Sequence, residues 1–422
     1  MKVGGVIRVP GDKSITHRVL MLAAMARGTS HIGGALTSLD ARATAACLRR
    51  LGAEVSPLRP GAVTRIAGRG RLSRPRSRLD CGNAGTTARL LLGLLAAHPF
   101  EARLTGDKSL RRRPMARVTE PLARMGARFA PEGAETLPLT VRGGVLAPLR
   151  WDLPVSSAQI KGSLLFAGMA GETQVSLREP GGLSRDHSER LLRAFGYTVE
   201  TRGGRIEFEP TGRVTPFDMQ VPGDPSSAAF LVGLALLADA GELILPGVGV
   251  NPTRTGFLAV LARMGAAVDV QELQDSFGEP VGTLHARPGM LRSTDVGAAE
   301  IPGLVDEVPL LAVLASRAEG TTVFREVGEL RVKESDRLSL IASNLRAVGA
   351  TAEVVGNDLQ VRGSDAPPRG RIRTEGDHRL AMAFGVLGTV PGAKVTIDDR
   401  ACVDVSFPGF FEALRQARRR GA

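Results

Sequence analysis

A helix-ending pattern returns at near-regular intervals along this chain of 422 residues. It reads Leu48-Arg49-Arg50-Leu51-Gly52-Ala53, Leu122-Ala123-Arg124-Met125-Gly126-Ala127, Leu192-Arg193-Ala194-Phe195-Gly196-Tyr197, Leu261-Ala262-Arg263-Met264-Gly265-Ala266 and Leu345-Arg346-Ala347-Val348-Gly349-Ala350. The final Arg418-Arg419-Arg420-Gly421-Ala422 reads as a sixth copy, and successive glycines lie 74, 70, 69, 84 and 72 residues apart. Glycine after a cationic last turn ends a helix, because it enters the left-handed region without strain and the cations favour the negative end of the dipole. A second series interleaves with the first. Apolar helices are expected to start near Ser14, Thr86, Ala158, Ser226, Glu307 and His378, at spacings of 72, 72, 68, 81 and 71. Strand-like runs such as Leu139–Val141, Thr173–Leu177, Ile206–Glu209 and Val395–Ile397 fall between. The unit is therefore two helices with several short strands, repeated six times.

The six units divide at a half-way mark. Pro10-Gly11-Asp12-Lys13-Ser14 and Pro222-Gly223-Asp224-Pro225-Ser226 agree in four of five positions and lie 212 residues, or three units, apart. The expected organisation is an α/β chain (α+β in some schemes) of two domains with three units each. One runs continuously over 13–223, and the other joins 1–12 to 224–422. The sixth unit has no room for a trailing strand, which the N-terminal run Val6–Val9 can supply. A cleft between two such domains is a natural ligand site.

Composition narrows the partners. Hydrophobic residues make up 43% of the chain, too many for a disordered one. The longest apolar runs, Leu90–Ala97 and Phe230–Ala238, fall far short of the about 18–20 residues of a membrane span. No signal peptide is expected at the start. Cys47, Cys81 and Cys402 lie far apart in sequence, which excludes a disulfide framework and a CxxC metal site and fits a reducing cytoplasm. The net charge is +12, carried by forty-nine arginines and only six lysines. With aromatics at 4%, stacking platforms for nucleic acid are scarce, and the basic clusters Arg111–Arg113 and Arg418–Arg420 are short. Small anions are the favoured partners.

Several segments can hold such anions. Pro10-Gly11-Asp12-Lys13-Ser14-Ile15-Thr16-His17-Arg18 offers an ammonium, a hydroxyl and a guanidinium within about one helical turn. Gly82-Asn83-Ala84-Gly85-Thr86-Thr87 is a glycine-rich loop opening a helix, and matches neither the Walker nor the dinucleotide fingerprint. Ser156-Ser157-Ala158-Gln159-Ile160-Lys161 opens another helix, where plain serine capping is an equal reading. Lys333 and Arg337 stand four apart with Glu334 beside Lys333, a pattern that also suits a surface ion pair. Asp306-Glu307 before Val308-Pro309 reads as an acidic helix start, and His378 in Asp377-His378-Arg379 as a cap or packed residue. No Ser/His/Asp elbow, HExxH or Cys/His cluster appears.

Ten segments in order, PGDKSITHR, GNAGTTARLL, RRRPM, SSAQIKG, SRDH, VPGDPSSAAF, VDEVP, RVKESDRL, GDHRLAM and CVDVSFPGF, resemble the enolpyruvyl transferases along the whole chain, and most closely the branch that acts on shikimate 3-phosphate. The resemblance implies two inside-out α/β barrel (α/β prism) domains of three repeats each. It implies transfer of the enolpyruvyl group of phosphoenolpyruvate to the 5-hydroxyl of shikimate 3-phosphate with release of phosphate, a step towards chorismate and the aromatic amino acids. No cofactor and no metal are implied, nor nucleic acid or membrane, and a cytoplasmic monomer is expected. Carried over residue by residue, Lys13, Ser14, Arg18, Ser157, Gln159, Ser184, Arg185, Asp306 and Lys333 bind shikimate 3-phosphate. Lys13, Gly85, Arg113, Gln159, Arg337 and Arg379 bind phosphoenolpyruvate. Asp306, Glu334 and Lys13 are the catalytic residues: Asp306 takes the hydroxyl proton and Glu334 protonates the methylene carbon, helped by Lys333.

Two positions depart from the family pattern. Ala158 stands where many members have a second serine, which removes one phosphate donor that Arg185 can replace. Val405 stands where many have a lysine two residues before the final Phe-Pro. The sister branch, acting on UDP-N-acetylglucosamine, usually carries a cysteine in the region of Arg111–Arg113 and an asparagine after the first lysine; here there is no such cysteine and Ser14 follows Lys13. A basic nucleic-acid binder is the other class of alternative, and it has no need of the ordered acidic and Ser/Gln motifs.

Overall fold

The computed structural model describes residues 1–181 and 183–419. Arg420 and Gly421, which carry the sixth copy of the glycine pattern, lie outside them. Each repeat supplies two helices. Residues 11–221 contribute α1 (Lys13–Met25) and α2 (Leu39–Arg50), α3 (Gly85–Ala96) and α4 (Ala116–Met125), α5 (Ala158–Ala170) and α6 (His187–Ala194). The rest contributes α7 (Pro225–Leu236) and α8 (Gly256–Arg263), α9 (Val308–Ala315) and α10 (Arg337–Ala347), α11 (His378–Leu387) and α12 (Phe410–Arg419). The first helix of every pair starts within one residue of its expected position. The glycines expected to end helices, Gly52, Gly126, Gly196, Gly265 and Gly349, all have positive φ, the conformation that makes glycine the residue of choice there.

Local chemistry explains these starts. Asp12 caps α1 by accepting from the Ile15 N–H at 2.8 Å, Asp224 caps α7 through the N–H groups of Ser226 and Ser227 ahead of Pro225, and Asp377 caps α11 through the Arg379 N–H at 3.0 Å. Two of the first helices are enclosed on every side: all twelve residues of α7 and all eight of α9 are buried. Such a helix is stable only when surrounded.

The chain forms two compact units: one of Gly11–Val221 with Asp275–Glu279, the other of Met1–Pro10, Pro222–Gln274 and Pro280–Ala422. The second, the terminal unit, holds both chain ends. Each unit has its own hydrophobic core. In the 11–221 unit, α1, α3 and α5 pack together at the centre, and α7, α9 and α11 do so in the terminal unit. The described residues form six separate open sheets, five of four strands and one of two. The architecture is mixed α/β, with helices and several sheets. Among the described residues no sheet closes into a barrel; where the resemblance implied barrels, the sheets are open, because each is a short separate set of strands.

The sheets share one plan that closes each unit on itself. A strand ending one repeat pairs in parallel with the first strand of the next: Leu79–Asp80 with Glu101–Thr105, and Leu149–Asp152 with Val175–Arg178. At the end of the third repeat Asp218–Gln220 returns to Arg27–Gly33 of the first. The terminal unit does the same with Asp295–Val296 against Thr321–Phe324 and Arg369–Ile372 against Lys394–Ile397. Its missing trailing strand comes from the N-terminus, where Lys2–Val6 pairs with Ala240–Gly249. That strand lies earlier than the expected Val6–Val9 because it includes Gly4 and Gly5, which carry little strand signal. The tip of the hairpin formed by Ala267–Ser276 and Glu279–Arg287 joins the 11–221 unit, where Phe277 packs on Phe195 and Phe217; nothing in the sequence pattern marked it. No helix among the described residues is long and apolar enough to cross a membrane.

The closing strand gives a stability prediction. A Cβ at Gly241, where φ is +106°, meets the Val3 carbonyl oxygen at 1.8 Å, whereas one at Gly349, with φ of +90°, meets open space. Gly349→Ala is expected to cost about 1–2 kcal/mol from backbone strain alone. Gly241→Ala adds a clash in the seam and is expected to cost about 2–5 kcal/mol. Urea unfolding midpoints of the two variants should therefore differ clearly, and equal losses would show that the N-terminal seam contributes little.

Candidate functional site

The residues singled out in the sequence fall into two groups, one per unit. In the 11–221 unit the starts of α1, α3 and α5 stand side by side. Arg18, only 1% exposed, donates through Nε to Ser188 Oγ at 2.8 Å, and through its two terminal nitrogens to the carbonyls of Ser14 at 3.0 Å and Ala158 at 3.1 Å. It thereby ties α1 to the first residue of α5. Burial lowers its pKa to about 10, partly offset by the negative charge of Glu189 and reinforced by Arg185 nearby. Lys13 donates to Asp40 Oδ2 at 3.1 Å. Between them His17 is completely buried, its Nδ1 2.6 Å from Thr44 Oγ1, which in turn lies 2.6 Å from Thr87 Oγ1. Burial first, then the charges of Lys13 and Arg18, lower its pKa from 6.5 to about 3. The imidazole is therefore neutral and serves as a polar tie among α1, α2 and α3.

The glycine-rich loop and its arginines complete this group. A Cβ at Gly85 would lie 3.1 Å from an Arg89 guanidinium nitrogen and 3.2 Å from one of Arg113, so the glycine lets two cations approach the first turn of α3. Arg113 donates to Asn83 Oδ1 at 2.6 Å. Arg89, which sequence reasoning missed, donates to Gln159 Oε1 and to the Pro114 carbonyl, while Gln159 Nε2 donates to Thr86 Oγ1 at 3.0 Å. Gln159 thus joins the starts of α5 and α3. Ser157 takes the N-cap position of α5, yet its hydroxyl makes no capping bond to that helix. Ser184 is buried against Glu179, and Arg185 stands close enough to act electrostatically on Arg18.

In the terminal unit the second group centres on Arg337, 1% exposed at the start of α10. Its Nε donates to Asp377 Oδ2 at 2.7 Å, one terminal nitrogen to Asp306 Oδ1 at 3.1 Å, and the other to Glu334 Oε2. Burial alone would lower its pKa, but Asp377, Glu334 and Asp306 together outweigh that and raise it. Arg379 donates to the Asp306 carbonyl at 3.1 Å and lies 3.4 Å from Asp306 Oδ2 and 3.8 Å from Glu307 Oε1. Lys333 lies 3.7 Å from Glu329 Oε1. Burial, with some help from Arg337, lowers its pKa against the pull of Asp306 and Glu329. All five expected residues, Asp306, Lys333, Glu334, Arg337 and Arg379, are brought together here.

The sequence marks Asp377 only as part of a helix start. Asp377 does two things: it caps α11 and it holds Arg337, with Ser335 Oγ also donating to it at 3.1 Å. Glu307, read as a plain acidic start, is buried and accepts from Ser226 Oγ, which in turn accepts from Arg254 at 2.6 Å. Only spatial proximity reveals either role. Val405 ends a short 3-10 turn, Ala401–Val405, that packs on α11. The three cysteines are buried and free, and the Cys47 thiol donates to the carbonyl of Asp80, beside Cys81, at 3.4 Å. Among the described residues no group of three His, Cys, Asp or Glu side chains is placed to hold a metal ion.

Each group offers fixed cations beside helix starts, with polar side chains already anchored. Such a surface receives phosphates and carboxylates, and the paired carboxylates around Arg337 add groups that can move protons. Known proteins bear on what it receives. Residues 1–414 match the family model described as EPSP synthase (3-phosphoshikimate 1-carboxyvinyltransferase). The chain is 49% identical over 413 residues to a 3-phosphoshikimate 1-carboxyvinyltransferase of Thermus thermophilus, covering 97% of this chain and 95% of that one. It is 46% identical over 413 residues to the enzyme of that name from Desulforudis audaxviator, covering 97% and 96%. Among solved structures, EPSP synthase from Acinetobacter baumannii superposes with a TM-score of 0.87 at 38% identity over 99% of this chain and 96% of that one. The enolpyruvyl transferase NikO of Streptomyces tendae has a TM-score of 0.77 at 19% identity over 99% and 95%, a likeness of fold.

His17 yields a prediction about pH. Its folded pKa of about 3 lies below the 6.5 of an unfolded histidine. As pH falls from 6.5 the unfolded chain takes up a proton that the folded one refuses, so stability declines, by at most about 1.4 kcal/mol per pH unit from this residue. Above pH 6.5 the contribution vanishes. Urea unfolding of the wild type and His17→Gln between pH 7 and pH 4 should show the wild type losing stability faster on acidification; parallel curves would mean that His17 titrates freely.

Proposed function

The chain belongs to the EPSP synthase family, and on that premise we propose that it transfers the enolpyruvyl group of phosphoenolpyruvate to the 5-hydroxyl of shikimate 3-phosphate, giving 5-enolpyruvylshikimate 3-phosphate and phosphate. The observation that carries the mechanism is the shared guanidinium: Arg337 is bonded at once to Asp306 and Glu334. One buried cation therefore holds the expected base and the expected acid beside a position that a phosphate or carboxylate can also claim.

The reaction then runs as follows. Lys13, Ser14, Arg18, Ser157, Gln159, Ser184, Arg185 and Lys333 hold shikimate 3-phosphate, and Arg185 covers the donor that Ala158 lacks. Lys13, Gly85, Arg113, Gln159, Arg337 and Arg379 hold phosphoenolpyruvate, whose anionic groups compete with Asp306 and Glu334 for Arg337. With no lysine at Val405, the forked arginines carry that binding. Glu334, helped by Lys333, delivers a proton to the methylene carbon, which leaves C2 electron-poor. The 5-hydroxyl adds to C2 as Asp306 takes its proton, and a tetrahedral intermediate forms. The new methyl group then returns a proton to the Glu334 carboxylate as the C–O bond to phosphate breaks, restoring the double bond, and the phosphate leaves with the proton that Asp306 had taken. Fixed charges lower the barrier because they need not reorganise as charge moves. The two carboxylates must stand in different protonation states at the working pH. The same reading places the protein in the cytoplasm, acting as a monomer on small-molecule substrates and not on nucleic acid.

Phosphate release that requires both substrates is the direct test; release from phosphoenolpyruvate alone, or salt-sensitive DNA binding without turnover, would overturn the reading. Glu334→Gln keeps the shape but removes the proton, so kcat should collapse while calorimetric binding of shikimate 3-phosphate stays near the wild-type value. Loss of that binding would instead make Glu334 a ligand-holding residue.

A further inference from the structure

The most deeply buried ion cluster of the 11–221 unit lies behind its anion-binding side chains, and no step above uses it. Lys161, one of only six lysines, sits within α5 at 0% exposure. Its Nζ lies 2.7 Å from Glu189 Oε1 and donates at 3.1 Å to Glu179 Oε2 and at 3.1 Å to the Ser184 carbonyl. Two hydrogen bonds and one ion pair thus hold the ammonium from three sides. Burial alone would lower its pKa, but Glu189 and Glu179 outweigh that and raise it, so the side chain is charged.

Glu179 passes this constraint on. Its two oxygens accept from the Ser184 O–H at 2.5 Å and the Ser184 N–H at 3.1 Å. Ser184 is thus held at its backbone N–H, its carbonyl and its hydroxyl by one buried ion pair. Glu189 does the matching service for Arg18, whose positive charge it offsets from α6. Two carboxylates, one ammonium and one guanidinium balance in charge. Removing any one leaves an uncompensated buried charge, which is costly. Well-packed apolar side chains often stabilise a buried position as well as an ion pair does, so such a cluster is weak evidence of a purely stabilising role. Its geometric output is the placement of Ser184, Arg185 and Arg18.

We propose that Lys161 and Glu179 are positioning residues for the shikimate 3-phosphate half of the site: through their hydrogen bonds to Ser184 they fix the Ser184–Arg185 segment so that Arg185 meets the phosphate. The proposal rests on the functional reading above. It also assigns Ser184 a polarity, because a hydroxyl whose proton is committed to Glu179 faces a ligand as an acceptor, leaving Arg185 as the donor to the phosphate.

The test compares Lys161→Met, Glu179→Gln and their combination. Lys161→Met strands two carboxylates and should lower the unfolding temperature sharply; adding Glu179→Gln removes one of them and should recover much of that loss. Positioning predicts that the double variant, though restabilised, keeps a KM for shikimate 3-phosphate raised about tenfold or more, the scale of one hydrogen bond to a charged group. The KM for phosphoenolpyruvate and kcat at saturation should stay within about threefold of wild type, since neither residue touches the reacting atoms. Glu179→Gln alone should show the same split if the double variant does not fold. Recovery of stability together with a wild-type KM for shikimate 3-phosphate would overturn the proposal and leave the cluster a stabilising one. A wild-type protein that releases no phosphate from the two substrates would overturn the functional reading itself, and this proposal with it.

Discussion

A helix that is apolar all the way round has to be enclosed, and this requirement governs the rest of the molecule. α7 and α9 expose no side chain to solvent, and α1, α3, α5 and α11 come close to the same state. One repeat cannot surround its own first helix. Three can, because the first helices cover one another and the sheets cover what remains. Strand exchange makes that enclosure permanent: each repeat lends a strand to the next, and the last returns to the first. The N-terminal strand is therefore the closing piece of the unit that also contains the C-terminal helix.

Enclosure decides where chemistry can occur. Along a buried apolar helix the backbone is satisfied internally, and the unsatisfied N–H groups collect at its start. Three first helices in each unit bring three such starts together, and the polar residues of the repeats gather there. The links are direct: Arg18 reaches the first residue of α5, Gln159 reaches Thr86, and Arg379 reaches Asp306 just ahead of α9. The long spacing between motifs in the chain follows from this, since each repeat contributes one helix start to a common patch.

Buried charge is the second consequence. Arg18, Lys161 and Arg337 are all but inaccessible, and each is held by carboxylates or carbonyls. Their pKa values respond differently to the same burial. Arg18, bonded to carbonyls and a hydroxyl, is lowered, whereas Arg337, ringed by three carboxylates, is raised. The neutral His17 between Lys13 and Arg18 fits this logic, because a third positive charge there would have no partner.

Periodicity in the chain was enough to find the repeat, the six first-helix starts and the five described glycine caps, because helix ends are set by local backbone chemistry: a capping Asp, a Pro, a Gly at positive φ. The ordered motifs likewise pointed to the residues around Arg337 and around Arg18, which the fold brings into two groups. Partnerships between distant residues had no such local signature. Asp377 looked like a cap and also holds Arg337; Glu307 looked like an acidic helix start and is tied to Ser226; Lys161 looked like one more residue of a helix and anchors Ser184. The hairpin tip at Asp275–Glu279 and the early N-terminal strand belong with these, the first placed by aromatic packing and the second by a parallel seam to Ala240–Gly249. Sequence determined which segments form helices and where they stop. Tertiary structure alone decided which buried charge answers which, because a charge taken out of water depends on whatever partner the fold delivers within about 3 Å.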